Sequence, residues 1–393
     1  FTTIAREILH KMASQIPEKM LAAQLIEFKK PYKIHDIPTP GKDLNEYDLL
    51  VKVAVGSLCH TDGMVSDGIM GSTLPCIASH EGSGTVVKVG SAIHEFHVGD
   101  RILCSLCYHR CGICPDCTGP EEDSHYCSNV GGYLGVTIDG SFAEYEVVDG
   151  RECCLLPDNV SFQSAAPLAC AGITIWGGIA RAQRAGLKAG EAIAIVGAGG
   201  GLGHLGVQFA KALGFRVIAI DARDEGLRLA QESGADATID ARKSKETVVE
   251  EVKKITGGQG AEVTLNVSDH ETAAALGAAI TKMHGMLIQI AQPPNVSVPF
   301  AELVFRDIKI RKHLLVPLLL AYGSLTGSRE EIKKMLEAVS KHNIKVKTNP
   351  FDGIKEVPKA IELAHSGKMQ GKPVIIIDSQ AIEKEKKSGL QMV

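Results

Sequence analysis

The chain has 393 residues, 45% of them hydrophobic and 22% charged, with 42 basic against 46 acidic side chains and a formal net charge of -4. That length buries a large core and suggests two or three domains; the balanced charge gives no polyanion-binding surface, so no nucleic-acid partner is expected. No apolar run approaches the ~20 residues a membrane span needs, so no membrane partner is expected either.

In chain order, a start on Phe1 is expected to follow from processing or truncation, and residues 1–20 read as an amphipathic helix with Ile4, Ile8, Leu9 and Met12 on one face. Arg6 and Lys11 also make this extension compatible with a mitochondrial address, although Glu7 and Glu18 weaken it. Residues 21–103 carry short β-branched runs (AAQLIEF, DLLVKVAVGS, GTVVKVG) between Gly, Pro and Asp turns and read as strands. Residues 104–130 read as a loop rich in Cys, Gly and Pro, and strands return at 141–156. From about 165 to 322 strands alternate with helical stretches at 203–213, 224–233, 245–256 and 271–282. That is the pattern of a parallel sheet covered on both faces. Helices at 329–341 and 357–366 and the strand PVIIID follow, then a charged tail around 382–392 expected to fray. The strand-rich part and this last segment are expected to form one domain interrupted by the α/β insert.

Eleven cysteines are the unusual feature. Length and apolar content exclude a small disulfide scaffold. Cys111, Cys114, Cys117 and Cys127 stand at short spacings that let four thiolates close around a structural zinc ion. Such a site would hold a loop without a core of its own. Cys104 and Cys107 lie just upstream and receive no metal. A second set is dispersed: Cys59-His60-Thr61-Asp62, His80-Glu81 and Cys170. Spacing alone cannot assemble it, although Cys–His–Cys with an open fourth position is a catalytic zinc arrangement.

The strand IAIV at 193–196 runs into GAGGGLG and then a helix. This is the context of a dinucleotide turn, with Gly197, Gly199, Gly200, Gly201, Leu202 and Gly203 offering backbone to a pyrophosphate. The spacing is GxGxxxG, one residue longer than the usual fingerprint. Asp221 ends the next strand, 18 residues after Gly203, where a carboxylate binds ribose hydroxyls and repels a 2'-phosphate. NAD is therefore expected over NADP, tempered by Arg223 nearby.

LCHTD at 58–62, SHEGSG at 79–84, the four-cysteine lobe, SFAEY, APLACAG and GAGGGLG occur in an order that resembles the zinc-dependent alcohol dehydrogenases of the medium-chain family, over roughly 21–380. The resemblance is strongest to the microbial and fungal tetrameric branch. It implies a GroES-like β-rich catalytic domain (21–172, with the lobe 104–130, resuming at 323–393) interrupted by a Rossmann domain (173–322). It implies two zinc ions per chain, with Cys59, His80 and Cys170 holding the catalytic one and Cys111, Cys114, Cys117 and Cys127 the structural one. Asp62 would orient His80, Glu81 would neighbour the metal, Thr61 would bond the alcohol oxygen, and His60 and Arg329 would contact phosphate. The implied reaction is reversible hydride transfer between a primary or small secondary alcohol and NAD, in a cytoplasmic homo-oligomer, a homotetramer in that branch. Polyol or secondary-alcohol oxidation, and zinc-independent alkene or quinone reduction, are the alternatives.

Several positions depart from the family pattern. Met64 stands where a proton-relay histidine is usual, Ser79 replaces a glycine, and Leu106 takes the place of a bulky aromatic. Nine residues separate the last two lobe cysteines instead of seven. The apolar stretch 311–321 looks inserted and suits a subunit interface or the mouth of a substrate channel.

Overall fold

A computed structural model describes residues 16–309 and 326–392 of the chain. The expected N-terminal helix falls almost wholly outside the described residues, and the insert 311–321 entirely so. Two compact units emerge: Phe1–Cys170 with Ser328–Ser340 and Val346–Val393, and Ala171–Gly327 with Lys341–Lys345. The first is thus discontinuous in sequence. Among the described residues no single helix is long and apolar enough to cross a membrane.

The first unit is built on β1 (Lys19–Leu25), β2 (Lys33–Pro38), β3 (Asp48–Ser57), β4 (Cys76–Ile77), β5 (Glu81–Val89), β6 (Arg101–Leu103), β7 (Cys107–Tyr108), β8 (Gly132–Tyr133), β9 (Tyr145–Asp149) and β10 (Cys154–Leu155). Its main sheet runs β10-β6-β5-β3, then continues into two strands from the far end of the sequence, with β9 also pairing β3. β3 is the hub: nine of its ten residues are buried, which its run of Leu and Val side chains favours. A smaller sheet, β2-β1-β4, packs its apolar residues with Phe142, Val357 and Ile375 into one core.

The second unit is a parallel sheet of β11 (Ala192–Val196), β12 (Arg216–Asp221), β13 (Ala237–Asp240), β14 (Ala261–Asn266) and β15 (Thr281–Gln289), in the order β13-β12-β11-β14-β15. Every residue of β11 is buried, as a strand covered on both faces requires. Helices Gly203–Ala212, Asp224–Glu232, Lys245–Ile255 and Ala273–Ile280 link the strands. The last is shorter than the expected 271–282. The Thr281 hydroxyl donates to the Gly277 carbonyl (2.7 Å) and takes a bond from Thr264 (2.8 Å), so the chain turns into β15 there. Strand order reverses between β11 and β14, the place where α/β sheets open a crevice for ligands at their carboxyl ends.

The chain then returns to the first unit through helix Arg329–His342, β16 (Thr348–Asp352), helix Val357–His365 and β17 (Lys372–Ile376), which pairs antiparallel to β3. The charged tail does not fray as its composition suggests. Helix Ser379–Lys387 is capped by Asp378, buries Ile382, and sends Glu385 inward to accept from Phe162 N–H and Arg101. The 104–130 region also holds more structure than a loop, with a helical turn at Pro115–Thr118 and a 3-10 helix at Glu121–Tyr126.

Candidate active site and metal centre

The dispersed cysteine–histidine set is drawn together in the first unit. Leu58 leaves β3 tied to β17 by its N–H to the Pro373 carbonyl (3.1 Å), and Cys59 then N-caps the helix His60–Ser66. The Asp62 carboxylate, 1% exposed, accepts from Cys59 N–H (2.7 Å) and Ser79 N–H (2.9 Å). One buried side chain therefore pins the two turns that carry Cys59 and His80, acting on the backbone. Ser79 has φ 71, a left-handed conformation that a glycine adopts freely. Its hydroxyl donates to the Ser57 carbonyl (2.8 Å) and its own carbonyl accepts from Ser141 N–H (2.7 Å). Those contacts hold a serine where the family pattern has glycine.

Cys170 follows the 3-10 helix Ala166–Ala169, and its Sγ lies 3.9 Å from Cys59 Sγ. The donor atoms of Cys59, His80 and Cys170 all fall within 4.8 Å of one another. Two thiolates bound tetrahedrally at ~2.3 Å from zinc stand ~3.8 Å apart, so the spacing fits such an ion and leaves a fourth position open. His80 Nδ1 is buried without a hydrogen-bond partner. Thr61 Oγ1 sits 3.8 Å from Cys59 Sγ, beside the donor set, while His60 is exposed at the start of the helix.

The electrostatics suit a cation. The neighbouring Cys170 thiol, with Lys372 and His80 adding to it against burial, holds Cys59 well below the usual thiol range. Cys170 is correspondingly pushed up by its bond to Cys59 and by burial. Burial lowers His80, but the Cys59 sulfur outweighs it and carries the ring to about 9. Burial raises Asp62 to about 6 and Glu81 to about 7, the latter opposed by Lys372.

Lys372 escaped the sequence reading. It heads β17, is 4% exposed, and its Nζ reaches Glu81 Oε2 (2.7 Å) and the Leu58 carbonyl (2.7 Å). It thereby links the segment before Cys59 to the strand after His80. The only trace in the sequence is a lysine placed directly before a buried apolar run.

The four-cysteine lobe also closes. Cys111 and Cys117 sulfurs are 4.0 Å apart, those of Cys114 and Cys127 3.9 Å apart, and all four lie within 4.8 Å of one another. These separations are far too long for disulfides and match a tetrahedral four-thiolate site. Backbone N–H groups point at the sulfurs: Cys111 N–H at Cys127 Sγ and Cys114 N–H at Cys111 Sγ, each 3.3 Å. Such bonds, from Cys117 and Ser128 N–H, lower Cys114 to about 6, while burial and the surrounding sulfurs raise Cys117 to about 12. The remaining thiols are core residues. Cys76, Cys104, Cys107, Cys153 and Cys154 are each at most 4% exposed, and burial pushes every one of them up. Cys104 faces the buried Glu146 carboxyl, which accounts for its place near the lobe without a metal.

In the second unit β11 delivers Gly197 at φ 87 into the turn before helix Gly203–Ala212. A Cβ at Gly199 would lie 2.1 Å from Gly226 Cα, and one at Gly203 2.2 Å from the Gly197 carbonyl, so both must be glycine. Gly200, Gly201 and Leu202 complete the turn. Asp221 closes β12 and accepts from Gly199 N–H (2.9 Å) and Arg223 N–H (3.0 Å). A Cβ on Gly226 would strike its carboxylate at 2.3 Å, a requirement the sequence reading missed. The turn and the acidic residue are thus one hydrogen-bonded assembly at the carboxyl end of the sheet, where a dinucleotide fits. Arg329 belongs to the first unit, where its guanidinium bonds Glu95 Oε2 (2.7 Å) and the Cys153 carbonyl (2.9 Å).

Comparison with known proteins gives a consistent result. Residues 45–158 match the alcohol dehydrogenase GroES-like domain and residues 201–341 the zinc-binding dehydrogenase domain. Alcohol dehydrogenase 1 of Emericella nidulans is 32% identical over 350 residues, 88% of this chain and 93% of its own length. An alcohol dehydrogenase of Geobacillus stearothermophilus is 31% identical over 366 residues, 91% of this chain and 100% of its own. The crystal structure of the alcohol dehydrogenase from the archaeon Aeropyrum pernix, 28% identical, superposes with a TM-score of 0.79 over 91% of this chain and 99% of that one.

Proposed function

The chain belongs to the zinc-dependent alcohol dehydrogenases of the medium-chain dehydrogenase/reductase family, and from that premise we propose how it works: reversible hydride transfer between a primary or small secondary alcohol and NAD, with zinc held by Cys59, His80 and Cys170 and a second zinc held by Cys111, Cys114, Cys117 and Cys127. Alcohol dehydrogenase activity on small molecules follows from the family. The finer reading is carried by one observation, the convergence of three buried or half-buried soft donors from positions 59, 80 and 170 to within 4.8 Å.

When bound, zinc supplies Lewis acidity towards the substrate oxygen and the nicotinamide supplies the hydride acceptor. The protein's residues do the rest. Asp62 fixes both ligand-bearing turns through their N–H groups. Lys372 neutralises Glu81 and braces the Leu58 carbonyl. Thr61 Oγ1, beside the donor set, is placed to take the hydroxyl proton from the alcohol. Met64 cannot carry that proton onward, and His60, exposed on the same helix, is the side chain that would pass it to water. Asp221, bonded to the glycine turn through Gly199 N–H, would hold the ribose hydroxyls, and the backbone N–H groups of the turn 197–203 would hold the pyrophosphate. A homotetramer is the proposed assembly.

The test is a panel of primary, secondary and polyol substrates with NAD and with NADP, followed at the nicotinamide absorbance. We expect alcohol-dependent NADH formation that a zinc chelator abolishes. Asp221→Ser should erode the preference for NAD. Turnover confined to activated alkenes, or insensitive to metal removal, contradicts the reading.

A further inference from the structure

β14 and β15 end side by side, with Asn266 in register opposite Gln289. Both amides are buried, Asn266 1% and Gln289 6% exposed, at positions flanked by the apolar Leu265, Ile288 and Ile290. They form a head-to-tail relay. Ser268 N–H donates to Asn266 Oδ1 (3.2 Å), Asn266 Nδ2 donates to Gln289 Oε1 (2.8 Å), and Gln289 Nε2 donates to the Ala291 carbonyl (2.8 Å). A backbone N–H can only donate and a backbone carbonyl can only accept, so both ends of the relay fix which way each amide points. The Asn266 carbonyl adds a second tie, accepting from Ile290 N–H (2.9 Å) and Ala291 N–H (3.0 Å). The two loops that leave β14 and β15 are therefore locked to each other.

This tie adjoins the glycine turn. Val267 N–H donates to the Val196 carbonyl (3.0 Å), and a Cβ on Gly197 would lie 3.2 Å from Ser268 N. Asp221 ends β12 on one side of β11, and the relay ends β14 and β15 on the other. A dinucleotide in such a sheet straddles the point where strand order reverses. Asp221 and its neighbours form the adenylate side, which leaves the β14–β15 loops to face the other half. Two amides at a buried strand end are costly unless fully bonded, and here each is bonded to a loop rather than merely to the other.

We propose that Asn266 and Gln289 are positioning residues that set the β14 and β15 loops for the nicotinamide half of the cofactor, an inference that rests on the dinucleotide reading above. Their removal loosens that half and leaves the adenylate half alone. The probes are NADH and AMP, titrated by calorimetry into the full-length wild type, Gln289→Met and Asn266→Asp. Met keeps the side-chain length without the amide; Asp keeps the acceptor for Ser268 N–H but loses the donor to Gln289. For both variants the dissociation constant for NADH should rise about tenfold, the worth of one buried hydrogen bond, with that for AMP unchanged. Unchanged NADH binding, or equal weakening of NADH and AMP as a general loss of packing would cause, overturns the proposal. If the wild type binds neither NADH nor AMP, the dinucleotide reading itself fails, a result distinguishable from the other two.

Discussion

The two cysteine-rich centres are assembled by opposite means. The lobe takes its four sulfurs from residues 111–127, and its own backbone N–H groups surround them. The other centre takes three donors from positions 59, 80 and 170 and depends on the fold to bring them together. Its surroundings are charged and buried: Asp62, Glu81 and Lys372 are each at most 4% exposed. A local centre can hold its loop with little help from the core, as a structural metal does. A dispersed centre held by buried ionic groups keeps an open position at a defined place, as catalysis requires.

Substitutions should separate the two centres. The largest effect is expected at the dispersed one. His80→Ala or Cys59→Ala should lower alcohol-dependent NAD reduction by roughly 10⁴-fold, because the Lewis acid is worth several kcal/mol at the transition state. Circular dichroism should show the fold retained. Residual turnover near wild type would remove the metal from the mechanism. Cys127→Ala should do the reverse, costing about 4 kcal/mol of unfolding free energy in denaturant while sparing most of kcat. If it abolished turnover without loss of stability, the division of labour would be wrong.

Lys372→Met comes next. It strands the Glu81 carboxylate, which is buried, and should destabilise the protein by about 3 kcal/mol, with Lys372→Arg restoring most of the loss. Equal stability of the Met variant and the wild type would show that Glu81 is not held by Lys372.

The smallest effect concerns Glu146, which is buried against Ser141 Oγ (2.8 Å) and belongs to neither set of metal-ligating residues. Burial raises its pKa above the ordinary 4.5, with Cys104 and Ser141 only partly opposing. The native state therefore favours the protonated carboxyl, and the stability it contributes is present in acid and lost as pH rises through the raised value. Glu146→Gln mimics the protonated form, so its stability relative to wild type should grow between pH 5 and pH 8 (a range on the order of the usual carboxyl-to-neutral span). A difference independent of pH would contradict the burial argument.

How legible each part was in the sequence follows from the same contrast. Three cysteines at two-residue gaps with a fourth close behind point to a metal, so the lobe could be read from spacing. The parallel sheet was legible because β11 and its neighbours are continuous apolar runs alternating with helical periodicity. The dispersed centre was reached only through its likeness to a family, since no local rule places Cys59 near Cys170. Lys372 left only its place before an apolar run and the Asn266–Gln289 relay left no signal, because a lysine or a glutamine in a strand says nothing about what it faces once folded. The tail misled for a related reason: its charges suggested solvent, yet Glu385 turns inward to bonds supplied by residues over two hundred positions away.

Zinc content per chain, measured by mass spectrometry of the metal on the wild type and on Cys59→Ala, tests the central claim most directly. Two ions in the wild type and one in the folded variant are the predicted result. A single ion in the wild type, or two retained in the variant, would contradict the account of one local and one dispersed zinc centre.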